Sequence, residues 1–250
     1  LDSSMAVPAL NILPLDLAVN KARILSLKEK EDKKWVNVMS LSDNKSFMKI
    51  DARIEGNQVK GHRSTVLYGQ EAIEYQTNEK HKQDSLVSNP KNNVSQKEKL
   101  TFTNLKVKKQ ENDWALIEEE FDFVLQVNRT DNHLYINPML FPQLKSNPFI
   151  QTERVLPIEF PYPYKFTMLS TLTLPEGYEV EELPQPQAIR SEGDGLQCKY
   201  MIQKQGNTIL LNYVFHLKGY IFLSEQYKQL QELWTKVIEK NNALIVLKKI

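Results

Sequence analysis

The stretch 48-MKIDARIEGNQVKGHRSTVLY-68 decides the fold, because its first half alternates strictly between apolar and charged side chains. Alternation of this kind is typical of a β-strand with one buried face. The apolar side consists of Met48, Ile50, Ala52 and Ile54. Gly56-Asn57 then supplies a two-residue turn, since both residue types tolerate a positive φ angle. The stretch therefore predicts a β-hairpin with one face in the core and one in water.

The same alternation recurs along most of the chain and predicts a mostly β (α+β) protein with antiparallel sheets, similar to a β-sandwich. The other predicted strands are 21–28, 35–41, 100–108, 114–128, 166–174, 198–202, 209–217 and a short last strand at 244–248. A short internal helix is predicted over 69–82 from its helix-favouring composition. Apolar residues at 3–4 spacing predict an amphipathic C-terminal helix that begins at an N-capping Ser224 and ends at a left-handed Asn241-Asn242.

Prolines concentrate between residues 137 and 163 and predict irregular structure there, because proline fixes φ and lacks a donor. The polar stretch 84–99 is predicted to be a loop.

We place a boundary near residue 150. It divides the chain into a β-rich subdomain with one helix at 19–150 and a β-rich subdomain ending in a helix at 151–250, with residues 1–18 preceding both.

Composition excludes several function classes. Lys and Arg total 32 and Asp and Glu total 31, so no general positive field attracts nucleic acid or an anionic membrane. Only 8 glycines are present, and neither glycine-rich nucleotide-binding pattern occurs, which predicts no nucleotide cofactor. No apolar run approaches the roughly 20 residues of a membrane-spanning helix.

Few residues are candidates for catalysis or metal binding. The four histidines lack the three- or four-residue spacing of a helical metal pair, so no metal site is predicted. Cys198, the single cysteine, lies among apolar strand positions and is predicted to be a small buried hydrophobe rather than a nucleophile. Glu118-Glu119-Glu120 and Asp122 are predicted to divide between the two faces of a solvated edge strand.

The aromatic cluster Phe160-Pro161-Tyr162-Pro163-Tyr164 allows two interpretations. If exposed, Phe160, Tyr162 and Tyr164 form a candidate surface for a peptide or a glycan. Alternatively, the three rings cover the junction between the two halves of the chain.

Several short motifs occur in a characteristic order along residues 10–249. They are Gly56, Gly61, Tyr68–Ala72, Asn147-Pro148-Phe149, Glu153-Arg154, Leu156-Pro157-Ile158, Leu174–Pro184, Glu225-Gln226-Tyr227 and Ile245–Lys249. Through their order these motifs resemble the uncharacterised domain that follows the transglutaminase core in proteins of Bacteroidetes-type bacteria.

The resemblance implies an upstream Cys-His-Asp core in which a thiolate attacks an acyl group. Leu1-Asp2-Ser3-Ser4 is similar to the segment that carries the family aspartate. Residues 1–18 would then be a remnant of the core, and Asp2 the last member of an incomplete catalytic triad. The resemblance also implies a periplasmic or extracellular location.

Three functions remain open from the sequence. The first is a non-catalytic accessory region that packs on or positions the transglutaminase-like core of the same parent chain. The second is an independent glycan- or peptide-binding β module that uses the aromatic cluster. The third is an autonomous hydrolase, which would depend on Cys198.

Overall fold

A computed structural model describes residues 12–14, 21–23, 35–38, 43–84, 100–110 and 113–250. The strands before residue 150 are β1 (Lys21–Arg23), β2 (Trp35–Asn37), β3 (Lys45–Glu55), β4 (Gln58–Tyr68), β5 (Leu100–Gln110), β6 (Asp113–Gln126), β7 (Asn128–Arg129) and β8 (His133–Ile136). Those after it are β9 (Ile158–Glu159), β10 (Tyr164–Thr173), β11 (Tyr178–Glu182), β12 (Gln187–Arg190), β13 (Leu196–Gln205), β14 (Thr208–Leu217), β15 (Ile221–Phe222) and β16 (Ile245–Lys249). The helices are α1 (Gln70–Asp84) and α2 (Tyr227–Asn241).

The predicted hairpin is confirmed as β3 and β4. Every second residue of β3 is buried, from Ser46 to Ile54, while the residues between them are exposed. Gly56 adopts a positive φ of 62° in the turn, and Glu55 pairs with Gln58 on either side of it. The mostly β fold class and both predicted helices are likewise confirmed.

One eight-stranded sheet contains most of the β structure, in the order β12-β13-β14-β10-β3-β4-β6-β5. Its pairings are antiparallel except for β3 and β10, which run parallel from Lys45↔Lys165 to Arg53↔Thr173. This parallel pair joins strands that lie on opposite sides of the predicted boundary near residue 150. The sheet is therefore continuous across that boundary, and a buried hydrophobic core contains residues from both sides of it.

The inner face of this sheet is covered by α2 and by a second sheet, in the order β11-β16-β8-β7. Tyr200, Tyr213 and Phe215 project inward from β13 and β14, and the Phe215 ring lies 5.5 Å from that of Trp234 on α2. Leu134 of β8 and Leu247 of β16 add to the same core from the smaller sheet. Burial of this large aromatic and aliphatic surface is the main favourable contribution to folding.

Three sequence predictions are corrected. Ser224 is not the N-cap of α2, because residues 224–226 form a 3₁₀ turn in which the Gln226 side chain accepts a hydrogen bond from the Leu223 N–H at 2.8 Å. The helix ends at Asn242 in a right-handed conformation, with φ of −99°, rather than in a left-handed cap. The carboxylate-rich strand β6 is not an edge strand, since β4 and β5 flank it.

The remaining predicted elements are placed as follows. The proline-rich span is irregular apart from β9, and β10 begins directly after it. Of the predicted loop, residues 85–99 lie outside the described residues. The described parts of the two earliest predicted strands, β1 and β2, pair antiparallel with each other. Neither helix in the described part of the chain has the length and apolar character needed to cross a bilayer.

Candidate functional site

The predicted aromatic surface is packed between the two halves of the chain. The Phe160 ring is half-buried and stacks 5.7 Å from Trp234 of α2. Tyr164 is half-buried and lies 5.6 Å from Phe215. Tyr162 is buried, and its side chain contacts α1 of the first half. The three side chains therefore do not form an open aromatic surface in this structure, because neighbouring helices and strands cover them.

The Tyr162 hydroxyl connects this segment to α1. It lies 2.9 Å from Glu71 Oε1 and 2.9 Å from Glu74 Oε1. A phenol donates only one hydrogen bond, so it cannot donate to two ionised carboxylates at once. A second bond requires that one carboxyl group be protonated and donate to the Tyr162 oxygen. Burial raises the pKa of Glu71, with its neighbour Glu74 adding to the rise, so Glu71 is the group suited to hold that proton.

We expect this contact to make stability depend on pH. Because the pKa of Glu71 is raised above its ordinary value of 4.5, the folded state holds the proton more tightly than the unfolded state. The stabilisation that this proton provides is complete below pH 4.5, and it is lost as pH rises through the folded-state pKa of Glu71. In Glu71→Gln a neutral amide can donate at every pH, so this loss should disappear, leaving the variant about 1 kcal/mol more stable than the wild type at alkaline pH.

Urea unfolding between pH 4 and pH 9 measures this difference. Glu192→Gln, at an exposed carboxylate far along the chain, is the matched control and should follow the wild-type curve. If Glu71→Gln and the wild type lose stability in parallel as pH rises, the shared-proton contact is contradicted.

The predicted burial of Cys198 is confirmed. Its side chain is fully buried in β13, opposite Phe215 of β14. Burial raises the pKa of the thiol to about 11, so almost none of it is thiolate at neutral pH. The location and the raised pKa both disfavour a nucleophilic role.

Thiol labelling provides a direct check. Cys198 of the native protein should react with an aromatic disulfide reagent at pH 8 only as fast as the protein opens, because both burial and the low thiolate fraction protect it. The same protein in 6 M guanidinium should react at once and stoichiometrically. Rapid stoichiometric labelling of the native protein would show that Cys198 is accessible and activated, contrary to the structure.

The remaining predicted groups do not assemble into a catalytic cluster among the described residues. Asp2 lies outside them, so its role as a triad remnant stays a prediction. His62 Nδ1 pairs with Asp122 at 2.9 Å on the exposed face of the large sheet, where Asn104 also donates to Asp122. No group of three His, Cys, Asp or Glu side chains in the described parts of the chain could hold a metal ion.

The carboxylates of β6 divide between the two faces, as predicted. Glu119 points inward, where it accepts hydrogen bonds from Arg63 and from the Tyr75 hydroxyl. Glu118 and Glu120 point outward and pair with lysines of the edge strand β5, Lys108 and Lys106 respectively. These contacts account for Glu118, Glu119 and Glu120 as partners of neighbouring side chains within the sheet and α1.

An exposed apolar surface lies in the proline-rich span, where no sequence pattern predicted one. Residues 147–157, called here the apolar loop, connect the first half to β9. Ile150, Val155 and Leu156 in this loop are 85%, 88% and 71% exposed. Ile221 and Leu223 extend the surface, because β15 pairs with β9 at the end of the loop.

Contacts with α2 hold the apolar loop in place. Phe149 is buried, and its ring lies 5.2 Å from that of Trp234. The Asn147 side chain donates to the Gln231 carbonyl and to Thr235, at 3.0 and 2.8 Å. The Tyr227 hydroxyl donates to the Gln151 carbonyl at 2.8 Å. The loop is therefore anchored at its start while its aliphatic side chains face solvent.

Local sequence patterns could not reveal this surface, because the loop is irregular and has no periodicity from which a face can be read. The available signal was the combination of aliphatic residues with a proline-rich segment. Leu156-Pro157-Ile158 was identified only as part of a family resemblance.

Comparison with known proteins gives two findings. Residues 132–247, a little under half of the chain, match the family model described as a domain of unknown function with a solved structure, DUF3858. Among solved structures, a chain from Parabacteroides distasonis named as a "putative protease" is similar, with 18% identity and a TM-score of 0.40. That similarity covers 48% of this chain and 24% of the other. The comparison with curated proteins gave no match.

Proposed function

We propose that this chain is a non-catalytic accessory region of a bacterial transglutaminase-like protein, and that it docks through the apolar loop onto the thiol-enzyme core of the same parent chain. Three exposed aliphatic side chains on an anchored loop are the observation that carries this proposal. An exposed apolar group costs free energy in water, and a contiguous set of such groups is typical of an interaction surface.

Because the loop is anchored, its exposed aliphatic side chains are better suited to binding a partner than those of an unanchored loop would be. An aliphatic surface held by Phe149 and Asn147 is preorganised, so little conformational entropy is lost when a partner covers it. Two exposed charged residues, Glu153 and Arg154, lie between Ile150 and Val155 in the loop. Protein interfaces commonly combine apolar and charged side chains in this way.

The choice of partner rests on sequence resemblance. The loop includes two of the motifs that resemble the domain following a transglutaminase core, Asn147-Pro148-Phe149 and Glu153-Arg154, and most of a third, Leu156-Pro157-Ile158, which ends in β9. The same segment therefore carries both the resemblance and the exposed surface. The region matching DUF3858 also includes the whole loop. The resemblance further suggests a periplasmic or extracellular location for the parent.

Cys198 and the aromatic cluster support the accessory role over the two alternatives. An autonomous thiol hydrolase would require Cys198 to leave the core. A glycan- or peptide-binding module built on Tyr162 would require its buried ring to separate from α1.

Single substitutions in the apolar loop test the proposal. We expect Val155→Asp and Leu156→Asp each to weaken association with the separately produced upstream core at least about tenfold, because a charge replaces a side chain that docking would bury. Isothermal titration calorimetry measures this affinity. Met201→Asp is the matched control, since Met201 is 52% exposed on β13, away from the loop, and should bind like the wild type.

Equal affinity of all three variants would contradict docking through the loop. All three positions are exposed, so thermal unfolding should confirm that the variants fold like the wild type. The coding sequence upstream of Leu1 provides a faster check. Absence of a cysteine and a histidine in a transglutaminase-like context there would contradict the proposal as a whole.

A further inference from the structure

The two-stranded ribbon formed by β1 and β2 has one exposed face, called here the ribbon face. Because side chains alternate along a strand, Lys21 and Arg23 lie on the same side of β1. The pairing Lys21↔Asn37 and Arg23↔Trp35 places Trp35 and Asn37 on that side of β2. All four residues are exposed, whereas the central residue of each strand, on the other side, is half-buried.

Trp35 provides the ribbon face with a large apolar surface. Its side chain is 64% exposed. The guanidinium carbon of Arg23, directly opposite, lies 6.0 Å from the centre of the Trp35 ring. Side chains directly opposite each other in an antiparallel pair are neighbours, and an indole attracts a cation to its face. An open aromatic ring and a cation therefore lie side by side.

The two cations of the ribbon face have no counter-charge within the described chain. No aspartate or glutamate of the described ranges forms an ion pair with Lys21 or Arg23. The lysines of β5 differ in this respect, because Lys106 and Lys108 pair with glutamates of β6. An anionic ligand would supply the ribbon face with the negative charge that the described residues do not provide.

We infer that the ribbon face binds an acidic oligosaccharide. The Trp35 ring packs against the apolar C–H face of a sugar ring, while Arg23 and Lys21 pair with carboxylate groups of the saccharide. A flat aromatic side chain gains many dispersion contacts with such a surface. A guanidinium pairs with a carboxylate through two parallel N–H···O bonds, which gives orientation as well as affinity. Because Arg23 lies beside the Trp35 ring, one sugar acid can contact both.

Two other anionic ligands fit the ribbon face less well. Single-stranded nucleic acid stacks its successive bases on several aromatic side chains along a basic groove, and Trp35 is the only aromatic residue in the described part of the ribbon. Surfaces that enter an anionic membrane combine cations with a broad apolar side, whereas three of the four residues on this face are polar. The site is separate from the apolar loop and does not depend on docking to a core.

Fluorescence anisotropy with two end-labelled trisaccharides tests the inference. The acidic probe is trigalacturonic acid, and the neutral probe is α-1,4-linked galactotriose, which has a hydroxymethyl group in place of each carboxylate. We expect the acidic probe to bind at least about tenfold more tightly than the neutral probe, with an affinity that falls as salt rises. Trp35→Ala should weaken binding of the acidic probe at least about tenfold, whereas Trp35→Tyr, which keeps a flat ring, should retain most of the affinity.

Substitution of Arg23 tests the site with the Trp35 ring left in place. Arg23→Gln should weaken binding of the acidic probe about fivefold, because it removes a cation that pairs with the carboxylate. Lys204→Gln is the matched control, since Lys204 is exposed beside the β13–β14 turn and the substitution makes the same change in net charge. It should bind the acidic probe like the wild type.

Four outcomes would each overturn the inference. They are absence of binding of the acidic probe, equal binding of the two probes, equal effects of Arg23→Gln and Lys204→Gln, and tighter binding of a thymidine tetranucleotide or of phosphatidylserine vesicles than of the acidic probe. Each of these results would leave the docking proposal unaffected, because that proposal rests on a different surface.

Discussion

The parallel pairing of β3 with β10 is the constraint on which the rest of the structure depends. It places Met48 beside Met168 and Ala52 beside Leu172, all of them buried on the inner face of one sheet. The antiparallel neighbours of each strand then extend this face in both directions. A shift of one residue in this register would turn the buried side chains of β10 toward water. The two halves therefore share one core, even though local patterns suggest two subdomains.

The candidate sites follow from this shared core. Because β10 lies beside β3, Tyr162 at the entry to β10 reaches the carboxylates of α1. Because α2 covers the same inner face, it anchors the apolar loop through the contact of Phe149 with Trp234. The exposed aliphatic side chains thus belong to a segment that the core fixes, rather than to an independent insertion.

Local periodicity explains which features could be predicted from the sequence. Alternation identified the β3–β4 hairpin, the apolar sides of β13 and β14, and the burial of Cys198, because each depends on residues close in the chain. The parallel pairing could not be predicted in this way, since many alternating strands compete as partners and no nearby turn specifies the choice. The start of α2 was missed because the capping interaction comes from Gln226 rather than Ser224.

The candidate surfaces depend on contacts between residues far apart in the chain, so local sequence patterns could not predict them. Tyr162 belongs to a proline-rich segment without periodicity, so its partners on α1 were not evident. Arg63 occupies an inward position of β4, and only the structure shows that the rings of Phe121 and Phe141 lie close to it. The exposure of Ile150, Val155 and Leu156 likewise reflects how α2 anchors the loop.

Carbene footprinting of side chains is the most direct measurement of the proposed docking. It would compare labelling of Ile150, Val155 and Leu156 in this chain alone and in the longer parent protein. We expect labelling of all three to fall severalfold when the core is attached, while labelling of Met201 remains unchanged. Equal labelling of the apolar loop in the two proteins would contradict the account.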